Sequence, residues 1–485
     1  MNLRYGLANV IAKATEPVLK HVFRRPAANF PGKIALYVDP DILTHARNKA
    51  SQGSVVICGT NGKTSVTNLV AGALANSEKT VICNNTGANL DSGIATSFIC
   101  SRNSELAVIE CDEMYLRHVL PKLQSDYLLL LNLFRDQLDR VGEIDIVQNS
   151  IVEALENSPS TTLLYNADDP MCAYIAKKAP NKSVAFGTVQ DMKLPSNRVA
   201  DAQMCQICNG MLGYNFLQYG QLGDFYCSDC DFKRPELDIS IHDISLDADY
   251  SQMTVTFSGD GGAESIVVKC PMSGAYMVYN CAAALALTRL AGGSDEGFRS
   301  ALGNFNMKNG RLEKIQVGSA QVLLNLAKNP TGFNLNLKII ARDKSAKVVG
   351  FFINDKEADG RDISWIWDVD FEEIALNLAG ESSSVAIEGA VKGVGGEVES
   401  ASGHSLINDE CEELIVFAGG TRRYDLALRL KYAGINARVI QDPADMISTT
   451  SQLASTHKFF AIANYTALPS VRNALIDLSS RSENG

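Results

Sequence analysis

The stretch from Ser54 to Asn76 limits the fold more than any other. An apolar, β-branched run, Ser54–Cys58, passes directly into Gly59-Thr60-Asn61-Gly62-Lys63-Thr64-Ser65, and a helical pattern follows over Lys63–Asn76. Strand, glycine-rich turn and helix N-terminus in that order are what a phosphate-binding loop requires. Glycines let backbone N–H groups approach phosphate oxygens, Lys63 reaches the terminal phosphates, and the Thr64 hydroxyl can bind Mg²⁺. The nucleotide-binding candidates are therefore Gly59, Thr60, Asn61, Gly62, Lys63, Thr64 and Ser65. The longer G-x-x-x-x-G-K-T form would need glycine at position 57, which is Ile57, so the loop is the short G-T-N-G-K-T form.

Around the loop the text alternates. Val81–Cys83, Leu106–Glu110 and Tyr127–Leu133 read as buried strands with helical segments between them, which predicts an α/β domain with a largely parallel sheet. A helix is expected over Val278–Leu290. A second α/β block begins near Gln316, with strands at Gln321–Leu326, Val348–Ile353, Leu414–Phe417, Ala437–Ile440 and Phe459–Ala463. At about 150 residues per domain, 485 residues suggest three parts. We place them at 1–50 (a helical segment), 51–315 (the nucleotide domain, interrupted at 201–236) and 316–485. Gly380–Leu406, with six Gly and six Ser and little periodicity, reads as a loop inside the last domain.

The net charge of −11 argues against duplex binding, which needs a basic face. No apolar run is long enough to cross a bilayer, and the N-terminus lacks the apolar core of a secretory signal. A cytoplasmic chain with reduced or metal-bound cysteines is expected. Arg4, Lys13, Lys20, Arg24 and Arg25 against Glu16 give the first 25 residues a charge of 5 − 1 = +4. They read as a solvated helix pair broken at Pro17 or, more sharply, as a weak contact with the inner membrane face.

Four of the twelve cysteines form the pattern Cys205-Gln206-Ile207-Cys208, 18 residues, Cys227-Ser228-Asp229-Cys230. Two C-x-x-C knuckles at this separation supply four thiolates for tetrahedral zinc and leave no open position, so a structural Zn²⁺ ribbon is expected. Cys58, Cys83, Cys100 and Cys111 lie in or beside predicted strands and read as buried apolar fillers.

The short loop resembles that of the Mur ligases and of folylpolyglutamate synthase, which phosphorylate a carboxylate with ATP and let an amine attack the acyl phosphate. Other segments carry the same resemblance. Glu110 in Val108–Glu113 matches the family's Mg²⁺-binding Glu, and Leu131–Arg140 is similar to N-x-x-x-D-H-x-D, with Gln137 in place of the His near a second Mg²⁺. Asn166–Pro170 matches N-x-D-D-P. Gly274–Ala284 resembles G-x-H-N-x-x-N-x-x-A-A, with Tyr276 and Met277 substituted and Asn280 retained, which implies that Asn280 lies near the adenine. Gly310–Glu313 matches G-R-x-E, implying a nucleotide contact for Arg311, and Asn325–Asn334 resembles D-Y-A-H-N-P with Lys328 replacing His.

A narrower resemblance rests on Ile353–Asp368, which holds both tryptophans, and on Arg429–Gly434, Asn464–Leu468 and Phe30–Lys33 with Asp39–Asp41. These are similar to the MurT family, the synthetase subunits of lipid II isoglutaminyl synthase. That resemblance implies a Mur ligase-type ATPase domain with a zinc-ribbon insert and a C-terminal Rossmann-like domain. It also implies a heterodimer with a GatD-type glutamine amidotransferase, and conversion of the D-Glu α-carboxylate of the lipid II stem peptide to D-isoglutamine. Lys63 and Glu110 would serve the ATP chemistry. An Asp from this chain would complete the partner's Cys–His pair. Asp355, directly after a predicted strand, is the choice, with Asp359 and Asp362 as competitors. Two other readings stay open: a ligase that adds whole amino acids, and a nucleotide-binding scaffold without chemistry, for which Gln137, Tyr276 and Lys328 speak.

Overall fold

The structure is a computed structural model that describes residues 3–17, 29–85, 87–134, 144–194, 203–247, 250–259, 262–305, 312–343, 345–374 and 413–483. Arg311, Gln137, Gly380–Leu406 and the basic residues Lys20, Arg24 and Arg25 lie outside these. The chain divides into two compact units, residues 1–305 and 306–485.

The described part of the first unit is built on a nine-stranded sheet. Its strands are β1 (Ser54–Cys58), β2 (Val81–Cys83), β3 (Leu106–Glu110), β4 (Tyr127–Leu130), β5 (Thr162–Asn166) and β6 (Ser183–Thr188). A separate hairpin, β7 (Leu212–Tyr219) and β8 (Leu222–Cys227), precedes β9 (Ile239–Leu246), β10 (Ser251–Phe257) and β11 (Glu264–Cys270). The order is β11-β10-β9-β6-β5-β4-β1-β3-β2, parallel from β2 to β9 and antiparallel from β9 to β11. Every residue of β1 and β3 is buried, as expected of parallel strands covered on both faces. β10 and β11 instead alternate buried and open residues, as strands with one wet face do.

The chain runs from β1 out to the edge strand β2, back to β3 beside β1, and then across to β4 on the other side of β1, so the strand order reverses at β1. Crevices outside the carboxyl ends of strands at such a reversal are where open α/β sheets bind ligands. The phosphate loop opens there.

The helix Leu3–Pro17 ends at the expected proline but is not simply solvated: Ala8 and Ala12 are buried in the same core as β1, β3 and β4. The hairpin joins that core through Phe225 and Phe232, whose rings lie 5.2 Å apart.

The described part of the second unit has a six-stranded sheet. Its strands are β12 (Glu313–Val317), β13 (Ala320–Leu326), β14 (Ala346–Phe352), β15 (Leu414–Gly419), β16 (Arg438–Val439) and β17 (His457–Ala463). The order is β12-β13-β17-β14-β15-β16, parallel except for the β12–β13 pair. β14 shows how both faces are covered. Val348 and Phe352 enter a core with Val471 and Leu475 of the helix Leu468–Glu483. Val349 and Phe351 enter another with Phe333 and Leu337 of the helix Pro330–Arg342. Helices on both faces of a mostly parallel sheet give the Rossmann-like arrangement.

Three expectations change. The strand expected over Tyr127–Leu133 stops at Leu130, because Asn132 turns away to bond the phosphate loop. The sheet of the first unit has nine strands where four were assigned: β5 and β6 went unassigned, as did β9–β11, of which β10 and β11 alternate buried and open residues. Cys100 closes a helix, Asp91–Cys100, instead of flanking a strand, and Cys83 and Cys100 are only half-buried.

Candidate functional site

The loop after β1 is shaped by two glycines. Gly59 has φ +135° and Gly62 φ +92°, a region L side chains rarely adopt. A side chain at either position would also be crowded. A Cβ at 62 would lie 2.6 Å from Asn280 Oδ1, and one at 59 would lie 3.0 Å from the Asn132 backbone. Asn280, from the helix Ala275–Leu290, thus abuts the loop. Tyr276, one turn earlier on that helix, buries a hydroxyl that has no partner among the described residues.

At the loop's mouth, Thr64 Oγ1 donates to Glu110 Oε2 at 2.7 Å. The register Ile57↔Glu110 puts Glu110 beside β1 two residues before the loop begins. Glu110 is held in turn: Asn89 Nδ2 donates to its Oε1 at 3.0 Å, and Asn84 bonds its backbone N–H and C=O at 2.8 Å each. Two oxygens this close are the hard donors a Mg²⁺ ion takes.

Lys63 is buried, with Nζ 2.8 Å from Glu113 Oε1 and also bonded to the Gly59 carbonyl. Burial alone would lower the Lys63 pKa, but Glu113, Cys58, Asp112 and Glu110 outweigh it and raise it. The ammonium stays charged for a phosphate. Glu113 was missed in the sequence. Its signal was the acidic run Glu110–Glu113, but only the fold shows which carboxylate meets the lysine.

The other wall is Leu131–Phe134. Thr60 N–H donates to Asn132 O at 2.8 Å and Asn61 N–H to Asn132 Oδ1 at 2.9 Å. Asn132 Nδ2 returns a bond to Asn61 O at 3.0 Å, and Phe134 N–H donates to Thr60 Oγ1 at 3.0 Å. The two aspartates of Asn166–Pro170 do different work. Asp169 caps the helix Pro170–Lys178 through Met171 N–H and accepts Leu133 N–H at 2.8 Å. Asp168 takes Tyr279 Oη at 2.6 Å, Thr188 N–H at 2.9 Å and Arg234 Nη1 at 3.1 Å. Burial raises the pKa of both, that of Asp169 to about 6, against these bonds.

The four knuckle cysteines converge, with all sulfurs within 4.8 Å of one another. Cys205–Cys230 and Cys208–Cys227 lie 3.6 and 3.5 Å apart. A tetrahedral ion bound at about 2.3 Å sets its sulfurs about 3.8 Å apart, so the cluster fits a metal ion. Backbone N–H groups of Ile207, Gly210 and Asp229 point at Cys205, Cys208 and Cys227 sulfurs, each at 3.4 Å, as donors that stabilise thiolates.

In the second unit, Asp355 lies at the carboxyl end of β14. Its Oδ1 accepts Thr421 Oγ1 at 2.8 Å, and Arg422 Nε is 3.1 Å from Oδ2. The backbone before it is tied to β17: Asn354 N–H donates to Asn464 Oδ1 at 3.0 Å and Asn464 Nδ2 to Asn354 O at 2.7 Å. Asp359 is buried, both oxygens taken by Thr466. Asp362 bonds Ser364 N–H and Oγ, each at 2.8 Å. Trp365 packs on Phe333, while Trp367 is half exposed against Tyr432. Asn325 bonds Asn336 and Leu312 N–H, and Asn329 caps the helix starting at Pro330.

The Mur ligase middle domain model matches residues 57–210, and the MurT ligase C-terminal model matches 326–390 and 404–468. The chain is 31% identical over 470 residues to the MurT subunit of the lipid II isoglutaminyl synthase (glutamine-hydrolyzing) of Staphylococcus aureus strain COL, covering 96% of both chains. It is 30% identical over 487 residues to the subunit of the same name from Streptococcus pneumoniae strain R6, covering 98% of both. The chain belongs to the MurT family. Its fold is that of the Mur ligases. MurF from Acinetobacter baumannii superposes with a TM-score of 0.61 at 16% identity, over 92% of this chain and 80% of that one. A pseudomurein peptide ligase from Methanothermus fervidus gives 0.61 at 18%, over 90% and 80%. The MurT model skips residues 391–403, inside the Gly- and Ser-rich stretch. Among the described residues, no helix is long and apolar enough to cross a membrane.

Proposed function

We propose that this chain is the synthetase subunit of an enzyme that amidates the α-carboxylate of D-Glu in the lipid II stem peptide, giving D-isoglutamine. The observation that carries the reading is the pairing of Thr64 and Glu110, 2.7 Å apart beside Lys63, in a chain matched over nearly its whole length by MurT subunits. ATP lies with its phosphates on the 59–65 loop, and Asn280 and Arg311 contact the nucleotide. Thr64 and Glu110 hold Mg²⁺, which supplies charge neutralisation at the phosphates. Lys63 exchanges Glu113 for the γ-phosphate and follows it through transfer, where positive charge stabilises the transition state.

A carboxylate oxygen of D-Glu bonds to the γ-phosphorus and ADP leaves. Ammonia then attacks the acyl carbon and phosphate leaves with that oxygen. A GatD-type partner releases the ammonia from glutamine, and Asp355 completes its Cys–His pair by orienting the histidine. Position supports Asp355 over its competitors: Asp359 is buried and Asp362 lies further along the loop, whereas Asp355 sits half-exposed near a strand's carboxyl end, its oxygens held in place by Thr421 and Arg422. Zn²⁺ in the Cys205, Cys208, Cys227 and Cys230 cluster is structural. The chain works in the cytoplasm at the inner membrane face, where lipid II presents its peptide. Co-purification with a glutaminase subunit and mass analysis of lipid II incubated with the pair, glutamine and Mg-ATP tests the reading. Amidated product supports it, and unmodified lipid II with an intact pair contradicts it.

A further inference from the structure

We infer that the hairpin carrying the four cysteines positions the nucleotide loop, and that Gln221 at its tip is the residue through which it acts. The inference rests on reading residues 59–65 as the ATP loop.

The hairpin is inside out. Hairpin tips ordinarily face water, because a buried loop must satisfy its backbone polar groups. Here residues 218–223, which include the tip, are all buried, while the cysteine end is open: Cys208, Met204, Ile207 and Met211 are exposed. A metal at the open end therefore clamps the two strands and leaves the far end to be presented inward.

What the tip meets is the wall of the phosphate loop. Gln221 Nε2 donates to Leu133 O at 2.6 Å and lies 3.4 Å from Asp169 Oδ1. Asp169 Oδ2 accepts the Leu133 N–H at 2.8 Å, so Leu133 is gripped at its N–H and its C=O. The residues on either side of it, Asn132 and Phe134, are the ones that bond Thr60 and Asn61 of the loop. Tyr219 stacks on Phe134 with centroids 6.2 Å apart, and a Cβ at Gly220 would come within 2.7 Å of the Phe134 ring. The neighbouring hairpin residues fix the tip: Gly223 N–H donates to Asp168 O at 2.9 Å, and Arg234 joins Asp168 to Asp224.

Packing alone does not explain a glutamine here. Gln221 is fully buried and its Oε1 has no partner among the described residues. An unpaired buried acceptor is costly, and methionine would fill the space without it. The side chain's use is its donor. Gln221 hydrogen-bonds Leu133 and Asp169, not a described residue of the loop, and acts through Leu133, so it is a positioning residue.

The test is calorimetric titration of the full-length, metal-loaded chain with Mg-ATP. Gln221→Met should bind roughly tenfold more weakly, the loss expected for one buried donor, with metal content and thermal midpoint close to wild type. Stripping the metal from the wild-type chain with a chelator should likewise weaken Mg-ATP binding and speed hydrogen exchange at the Asn132, Leu133 and Phe134 amides. This second arm decides the matter should the variant not fold. Equal affinity in wild type and Gln221→Met, or exchange at those amides unchanged by metal removal, overturns the inference alone. A wild-type chain that does not bind Mg-ATP overturns the nucleotide-loop reading and this inference with it.

Discussion

Lys63 already has an anionic partner before any phosphate arrives. Glu113 holds it at 2.8 Å, which keeps the ammonium charged in a buried site and parks it at the loop's mouth. Glu110, by contrast, is tied to a hydroxyl and two asparagines, the setting of a ligand kept in place. Glu110→Ala should therefore raise the Mg²⁺ concentration for half-maximal ATP turnover by at least about tenfold, read from Mg²⁺ titrations. An unchanged requirement would remove Glu110 from the metal site. Asp169 gives a pH prediction. Burial holds its pKa at about 6, above the roughly 4 of an unfolded chain. The folded state binds this proton more tightly, so the group's contribution is fully present below about pH 4 and is lost as pH rises through 6. Asp169→Asn carries no such proton. The stability of wild type relative to the variant should fall by roughly 3 kcal/mol between pH 4 and pH 7 in urea titrations. A pH-independent difference would contradict the assignment. Thr64 and Glu110 stood out in the sequence because one opens the helix after the β1 loop and the other closes β3. Glu113 and the split between Asp168 and Asp169 did not, since both depend on partners 36 to 111 residues away.

At the scale of elements, β1, β2 and β3 were legible to the residue: β1 and β3 are buried on both faces and leave unbroken apolar text, and the edge strand β2 is a short apolar run. The strands of the cysteine insert were not, for their apolar residues serve a buried tip instead of one sheet face. The knuckle spacing was nonetheless enough to find the cluster. Metal analysis should return one zinc per chain, and Cys208→Ser with Cys227→Ser should lose it; a metal-free wild type would refute the zinc site. The strand-end loop of β14 carries its own prediction. Asp355→Asn should lower glutamine-dependent amidation by roughly a hundredfold or more while sparing activity with added ammonia. Loss of both activities together would make Asp355 a residue of the synthetase site instead. Its neighbours Thr421, Arg422 and Asn464 come from other strand ends. No spacing within one segment announces such a group.

For the whole molecule, the two units divide the candidate groups: one carries the loop, Glu110, Glu113 and the four-cysteine cluster, the other the strand-end aspartate. In the proposed reaction an acyl phosphate links the two roles, since it would make the carboxylate reactive toward ammonia produced elsewhere. Its most direct test uses a stem peptide whose D-Glu α-carboxylate is labelled with heavy oxygen, incubated with the complex, ammonium and Mg-ATP. One labelled oxygen should appear in the inorganic phosphate for each amide formed. Amidation that leaves the phosphate unlabelled would contradict the account.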